Sequence, residues 1–120
     1  MKLKEIKKFI NKVYPKIEKH YGFSKFQECT PYVEIHHSPY SDSKDPHLVG
    51  EYCWDDNSLI VYWKNIKSKK QLIETLVHEY QHYLQSPSWM KRYYTMGYNY
   101  NDHPYEVAAY DEEKNWKKFV

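Results

Sequence analysis

Glycine is scarce, with three in 120 residues, so long flexible linkers are not expected. Cysteine is scarcer still. Cys29 and Cys53 are too few for a disulfide framework, and neither sits in a CxxC pair that could hold zinc through sulfur. A single bridge between them stays open at this level. No apolar run is long enough to span a bilayer. The N-terminus is charged from Lys2 onward and does not resemble a signal peptide. No membrane partner is therefore expected, and the expected location is the cytoplasm or whichever compartment made the chain. Net charge is small, at +2, with acids and bases interspersed. No overall field argues for nucleic acid, which is not an expected partner. The lysine excess lies in "KLKEIKK" and "KNWKKF", read as the solvent faces of terminal helices.

What is abundant is aromatic. Fourteen Tyr and four Trp lift aromatics to 18%, too much for a disordered chain. The length fits one domain with one modest core, residues 1–120.

Leu3, Ile6, Phe9, Ile10, Val13, Tyr14 and Ile17 recur at helical spacing, which predicts an amphipathic helix over 3–19. Pro15 predicts a kink or break near Tyr14. "YVEIHH" at 32–37 alternates like a half-buried strand. "LVGEYCW" and "SLIVYW" predict a hairpin, 48–54 and 58–63, turning at Asp55–Asn57. Ser68 and Gln71 form a capping box before an apolar-periodic run, predicting a helix over 69–85 that Pro87 stops. Residues 87–102 read as an aromatic loop. A last helix begins near Pro104 and runs to about 118. The expected class is α+β: N-terminal helix, small largely antiparallel three-stranded sheet, central helix and C-terminal helix.

The central helix contains "LVHEYQHYL". His78 and His82 are four apart, about 40° in projection and one turn in height, so two imidazoles can aim at one point. Zinc takes neutral imidazole nitrogens, and a catalytic zinc wants a third protein ligand and an open position. Glu79 lies beside that face and can act on a water as general base without being a ligand. Glu106, in the first turn of the last helix, is the expected third ligand, with Ala108 and Ala109 permitting close approach. His103 is the alternative third ligand.

HExxH on one helix with a glutamate early in a following helix resembles the gluzincins, the thermolysin-like clan of zinc metallopeptidases. The likeness rests on His78, Glu79, His82 and Glu106 and spans roughly 58–118, on the scale of minimal members that keep one catalytic half-domain. It implies Zn2+ as cofactor, peptide or protein as substrate, and peptide-bond hydrolysis with Glu79 as base. It also implies that substrate pairs along an exposed edge strand, one of the two hairpin strands. The group's pattern puts Asp four residues after the ligand Glu to orient the first His; here that place is Tyr110, while Asp111 is about 140° around the helix from Glu106. The second domain with its transition-state histidine has no counterpart. An oxyanion donor would come from Tyr93, Tyr94, Tyr98, Tyr100 or His103, with Tyr98 and His103 the favoured catalytic candidates. The rival readings are a non-catalytic, zinc-stabilised interaction domain and an SprT-like DNA-associated HExxH protease. A zymogen-like state, with part of the chain over the cleft, is a further option.

Overall fold

The computed structural model describes residues 1–39, 45–97 and 103–120. Helix α1, Leu3–Tyr21, runs unbroken through Pro15 and ends at Gly22, whose amide still donates to the Glu18 carbonyl and whose φ of 76° then turns the chain out of the helix. Of the expected kink or break, the break is absent, for a physical reason. Pro15 and Asn11 are on the exposed side, so the carbonyl that loses its helical donor faces water. Ile6, Ile10, Val13, Tyr14 and Ile17 form the buried stripe.

Strands β1 (Tyr32–His36), β2 (Gly50–Cys53) and β3 (Ser58–Tyr62) form one sheet in the order β1-β3-β2. The β2–β3 hairpin is antiparallel, as expected, with Gly50 opposite Val61 and Cys53 opposite Ser58. The sheet is nevertheless mixed, not largely antiparallel, because β1 pairs with β3 in parallel, Tyr32 opposite Ser58 through His36 opposite Tyr62. β3 takes the centre because "SLIVY" is apolar and buried throughout, so it needs a partner on each side. Residues 37–57 give the long crossover that parallel neighbours require. The edges are therefore β1 and β2.

A single 3₁₀ turn, Trp63–Asn65, leads into helix α2, Lys69–Leu84. The Ser68 hydroxyl accepts from the Gln71 amide and the Gln71 side chain reaches back to the Lys67 amide, so the expected cap forms one residue wide of the standard box. Leu72, Ile73, Leu76, Val77 and Tyr80 pack with the α1 stripe, Leu59, Val61 and Phe119 in the core. Pro87 does stop α2, but it also starts helix α3, Pro87–Thr95, where an aromatic loop was expected. Proline is a good first-turn residue, and both roles are served here. Helix α4, Pro104–Glu112, follows, then a 3₁₀ helix, Glu113–Phe119, in place of one helix to 118. Ala109 is buried, and Ala108 is exposed.

The tyrosines hold the irregular segment 22–31. Their rings are in the core and their hydroxyls reach its backbone: Tyr14 to Pro31 O (3.0 Å), Tyr80 to Gly22 O (2.6 Å), and Tyr83 accepting from Ser24 N (3.0 Å). Cys29 and Cys53 are both free. No helix among the described residues is long and apolar enough to cross a membrane.

Candidate metal centre

Helix α2 is buried almost all round. Its aliphatic side meets the core, and its other side buries Thr75, His78, Glu79 and His82. α4 crosses that polar side and brings Glu106, which is fully buried. Three donor atoms converge. His78 Nε2 is 3.2 Å from His82 Nε2 and 3.1 Å from Glu106 Oε1, and Glu106 Oε1 also contacts His82 Nε2. A tetrahedral cation bound at roughly 2.0–2.1 Å holds its donors about 3.3–3.4 Å apart, close to the two distances from His78 Nε2, while His82 and Glu106 stand closer together than that.

The outward nitrogens decide what the inward ones can do. His78 Nδ1 is 2.9 Å from Glu113 Oε2, and His82 Nδ1 is 2.8 Å from Gln85 Oε1. Both partners are oxygen acceptors, so each Nδ1 is assigned the proton. Gln85 is itself fixed, donating through its amide to the Tyr105 carbonyl at 2.9 Å. In the neutral rings both Nε2 atoms are then bare lone pairs, aimed at each other and at a carboxylate oxygen. Such a cluster is repulsive until a positive charge enters it, either a proton or a metal ion. Burial would depress the His78 pKa, but hydrogen bonds to Glu106 and Glu113 outweigh it and push the ring up to about 10 without metal. His78, Glu79 and His82, all buried, offer ligand atoms within 4.8 Å of one another and could hold a metal ion. Tying the second nitrogen of each histidine to a fixed oxygen is what metal-ligating imidazoles need.

Glu79 is 6% exposed, with Oε1 3.8 Å from His78 Nε2. Burial raises its pKa, an effect that the nearby His82 and His78 only partly offset. A carboxyl placed beside the donor atoms without being tied up by them can take and return a proton.

The site opens into a cleft of about 120 Å³ lined by Val49, Gly50, Thr75, Glu79, Tyr110 and Glu113 among others. Gly50 sets how closely β2 approaches α2. A Cβ there would lie 2.6 Å from Thr75 Cγ2 and 2.8 Å from the Ile60 carbonyl oxygen. The edge strand beside the cleft is β2, since β3 is central.

Of the sequence-predicted residues, His78, Glu79, His82 and Glu106 come together. Tyr110 does reach His78, but with its ring edge-on at 4.6 Å, while the bond to Nδ1 comes from Glu113. Asp111 turns away and pairs with Lys114 at 2.9 Å on the surface. Glu113 was missed because the orienting acid was sought four residues after Glu106. Seven residues is two helical turns, about 20° from the same face, so the signal was present. His103, fully buried, caps α4: its Nδ1 accepts from the Tyr105 amide at 3.4 Å, and its ring meets Tyr105 at 4.0 Å. Tyr98 and Tyr100 lie outside the described residues, as do the side chains of Tyr93 and Tyr94.

Comparison of the chain with protein-family models, with curated proteins and with solved structures finds no match.

Proposed function

We propose that the chain is a zinc-dependent peptidase of the minimal gluzincin kind, with His78, His82 and Glu106 as ligands and Glu79 as general base. The observation that supports this best is the convergence of two lone-pair imidazole nitrogens and a buried carboxylate, each ring locked from behind, beside an acid that is not needed as a ligand. Glu106 contacts both histidines, which favours it over His103 as third ligand. Three protein ligands, one of which (His78) lines a cleft together with Glu79, fit a catalytic zinc better than a structural one, which is usually closed by four.

When bound, zinc supplies Lewis acidity for a water and for the scissile carbonyl. The chain's own groups do the rest. Glu79 accepts the proton of the attacking water at its carboxylate and returns it to the departing amine. Glu113 and Gln85 hold the two imidazoles in the ligating tautomer. β2 offers its outer edge to pair main chain to main chain with a peptide, and Gly50 keeps that edge close to Glu79.

The test is elemental analysis with Glu106→Ala and His103→Ala variants, then a peptide-library assay with Glu79→Gln. The expected result is about one zinc per chain, lost in Glu106→Ala and kept in His103→Ala. Glu79→Gln should keep its zinc and lose about 10²–10⁴-fold in turnover. A native protein that takes up no metal, or a Glu79→Gln variant as active as the parent, would sink the proposal.

A further inference from the structure

The small net charge hides a strong segregation. Residues 1–21, 64–70 and 114–120 hold fourteen of the eighteen basic residues, all lysine, and only two of the sixteen acidic ones, Glu5 and Glu18. Their formal charge is +12, and that of the remaining chain is −10. The fold gathers the three segments. Lys69 Nζ stands over the Phe9 ring at 5.4 Å, joining the start of α2 to α1. Lys70 stands over Trp116 at 5.5 Å, joining it to the C-terminal 3₁₀ helix. Lys16 donates to the Val120 carbonyl, joining that helix back to α1. All fourteen lysines are exposed, and among the described residues only Lys114 has an acidic partner within ion-pair distance.

This arrangement works against the fold that presents it. Lys4, Lys8, Lys12 and Lys16 recur every four residues along α1, about 6 Å apart on its axis. Each consecutive pair is a like-charge neighbour of the kind that weakens a helix. At the end of the row, Lys16, Lys19, His20 and Lys118 surround a cleft of about 450 Å³. A second cleft of that size, lined by Lys70, Lys114 and Lys117 with Glu74 among them, runs to Tyr110 and Glu113, which also line the metal-side cleft.

We propose that this lysine face binds nucleic acid through its phosphate backbone, without reading sequence. The composition of the face selects that partner. Val120 is its only large apolar residue in the exposed class, and the partly buried Phe9 and Trp116 lie under Lys69 and Lys70, so no apolar patch is open as a membrane anchor or as the centre of a protein interface, where lysine is depleted. Polyphosphate needs no such anchor, only positive charge at regular intervals. The face has no arginine, the side chain best matched to base edges, so contacts position rather than specify. A bound strand would lie against the rim of the metal-side cleft.

The test uses the full, zinc-supplemented protein and fluorescein-labelled DNA duplexes of two unrelated sequences, followed by anisotropy. Both duplexes should bind alike. Four to six neutralised phosphates predict an affinity loss of about 10²–10³-fold between roughly 50 and 200 mM salt. Lys8→Glu with Lys16→Glu should weaken binding at least about tenfold and flatten the salt dependence. These changes place opposite charges beside Lys4 and Lys12, so helicity by circular dichroism should be kept or raised. Lys91→Glu with Arg92→Glu on α3, outside the face, should leave binding unchanged. No binding at low salt, or binding indifferent to the α1 changes, overturns the proposal. So does strong preference for one duplex, or binding to phosphatidylserine vesicles in place of DNA.

Discussion

Helices α1 and α2 contribute to the same core but differ in what else they bury. α1 is divided by solvent: five apolar residues inside, lysines outside. α2 has almost no solvent side, and the half turned away from the core buries Thr75, His78, Glu79 and His82. Taking a carboxylate and two imidazoles out of water is unfavourable unless each is paired, and every ring nitrogen here has a partner. A helix that is apolar on one side and buried on both therefore points to an enclosed site, whereas a helix that is apolar on one side and wet on the other can offer only a surface.

Separating the two sides of α2 should be possible one side chain at a time. The largest effect is expected from Leu76→Ala on the core side. Leu76 is fully buried, and truncation should cost about 2–5 kcal/mol in chemical denaturation while leaving metal affinity unchanged. A matching drop in metal affinity would mean that the two sides are not independent. Next comes Glu113→Gln, behind the metal-facing side. It should weaken metal binding by about 10–100-fold in chelator competition, with the core side intact. An unchanged affinity would show that Tyr110 or solvent orients His78 equally well. The smallest signal is protonic. His78 without metal holds its proton up to about pH 10, against an unfolded value near 6.5. Its contribution to the metal-free fold is thus complete below about pH 6.5 and lost as pH rises through about 10. Metal must displace that proton, so binding at neutral pH should release about one proton per ion, measurable by titration in buffers of different ionisation heat. Release of no proton would overturn the assignment of a protonated His78.

The contrast between the helices also explains what could be read in advance. α1, the 48–63 hairpin and the start of α2 were legible, because each rests on a local rule: apolar period, turn chemistry, capping. His78 and His82 were legible as candidate donors for the same reason, the fixed rise of a helix, and Glu106 from its place in the first turn of the next helix. Pairing of β1 with β3 was not, since strand order depends on which strand is buried on both sides, and β3 wins that place only in the folded sheet. α3 was hidden because Pro87 can end one helix and begin another, and the stop was the only role considered. Pro15 does not break α1, because the carbonyl that it leaves without a helical donor meets water. Glu113 shows a narrower failure. The face was right and the turn was wrong, because a borrowed spacing displaced the plain geometry of two helical turns.

A chain with +12 on one set of segments and −10 on the rest carries far more charge than its small net value reveals. Near a negatively charged surface the lysine segments are drawn in first, so encounters there are oriented. On ion exchangers near neutral pH it should be retained by resins of both signs, each through different segments. Its isoelectric point, at about 8.4, predicts neither behaviour.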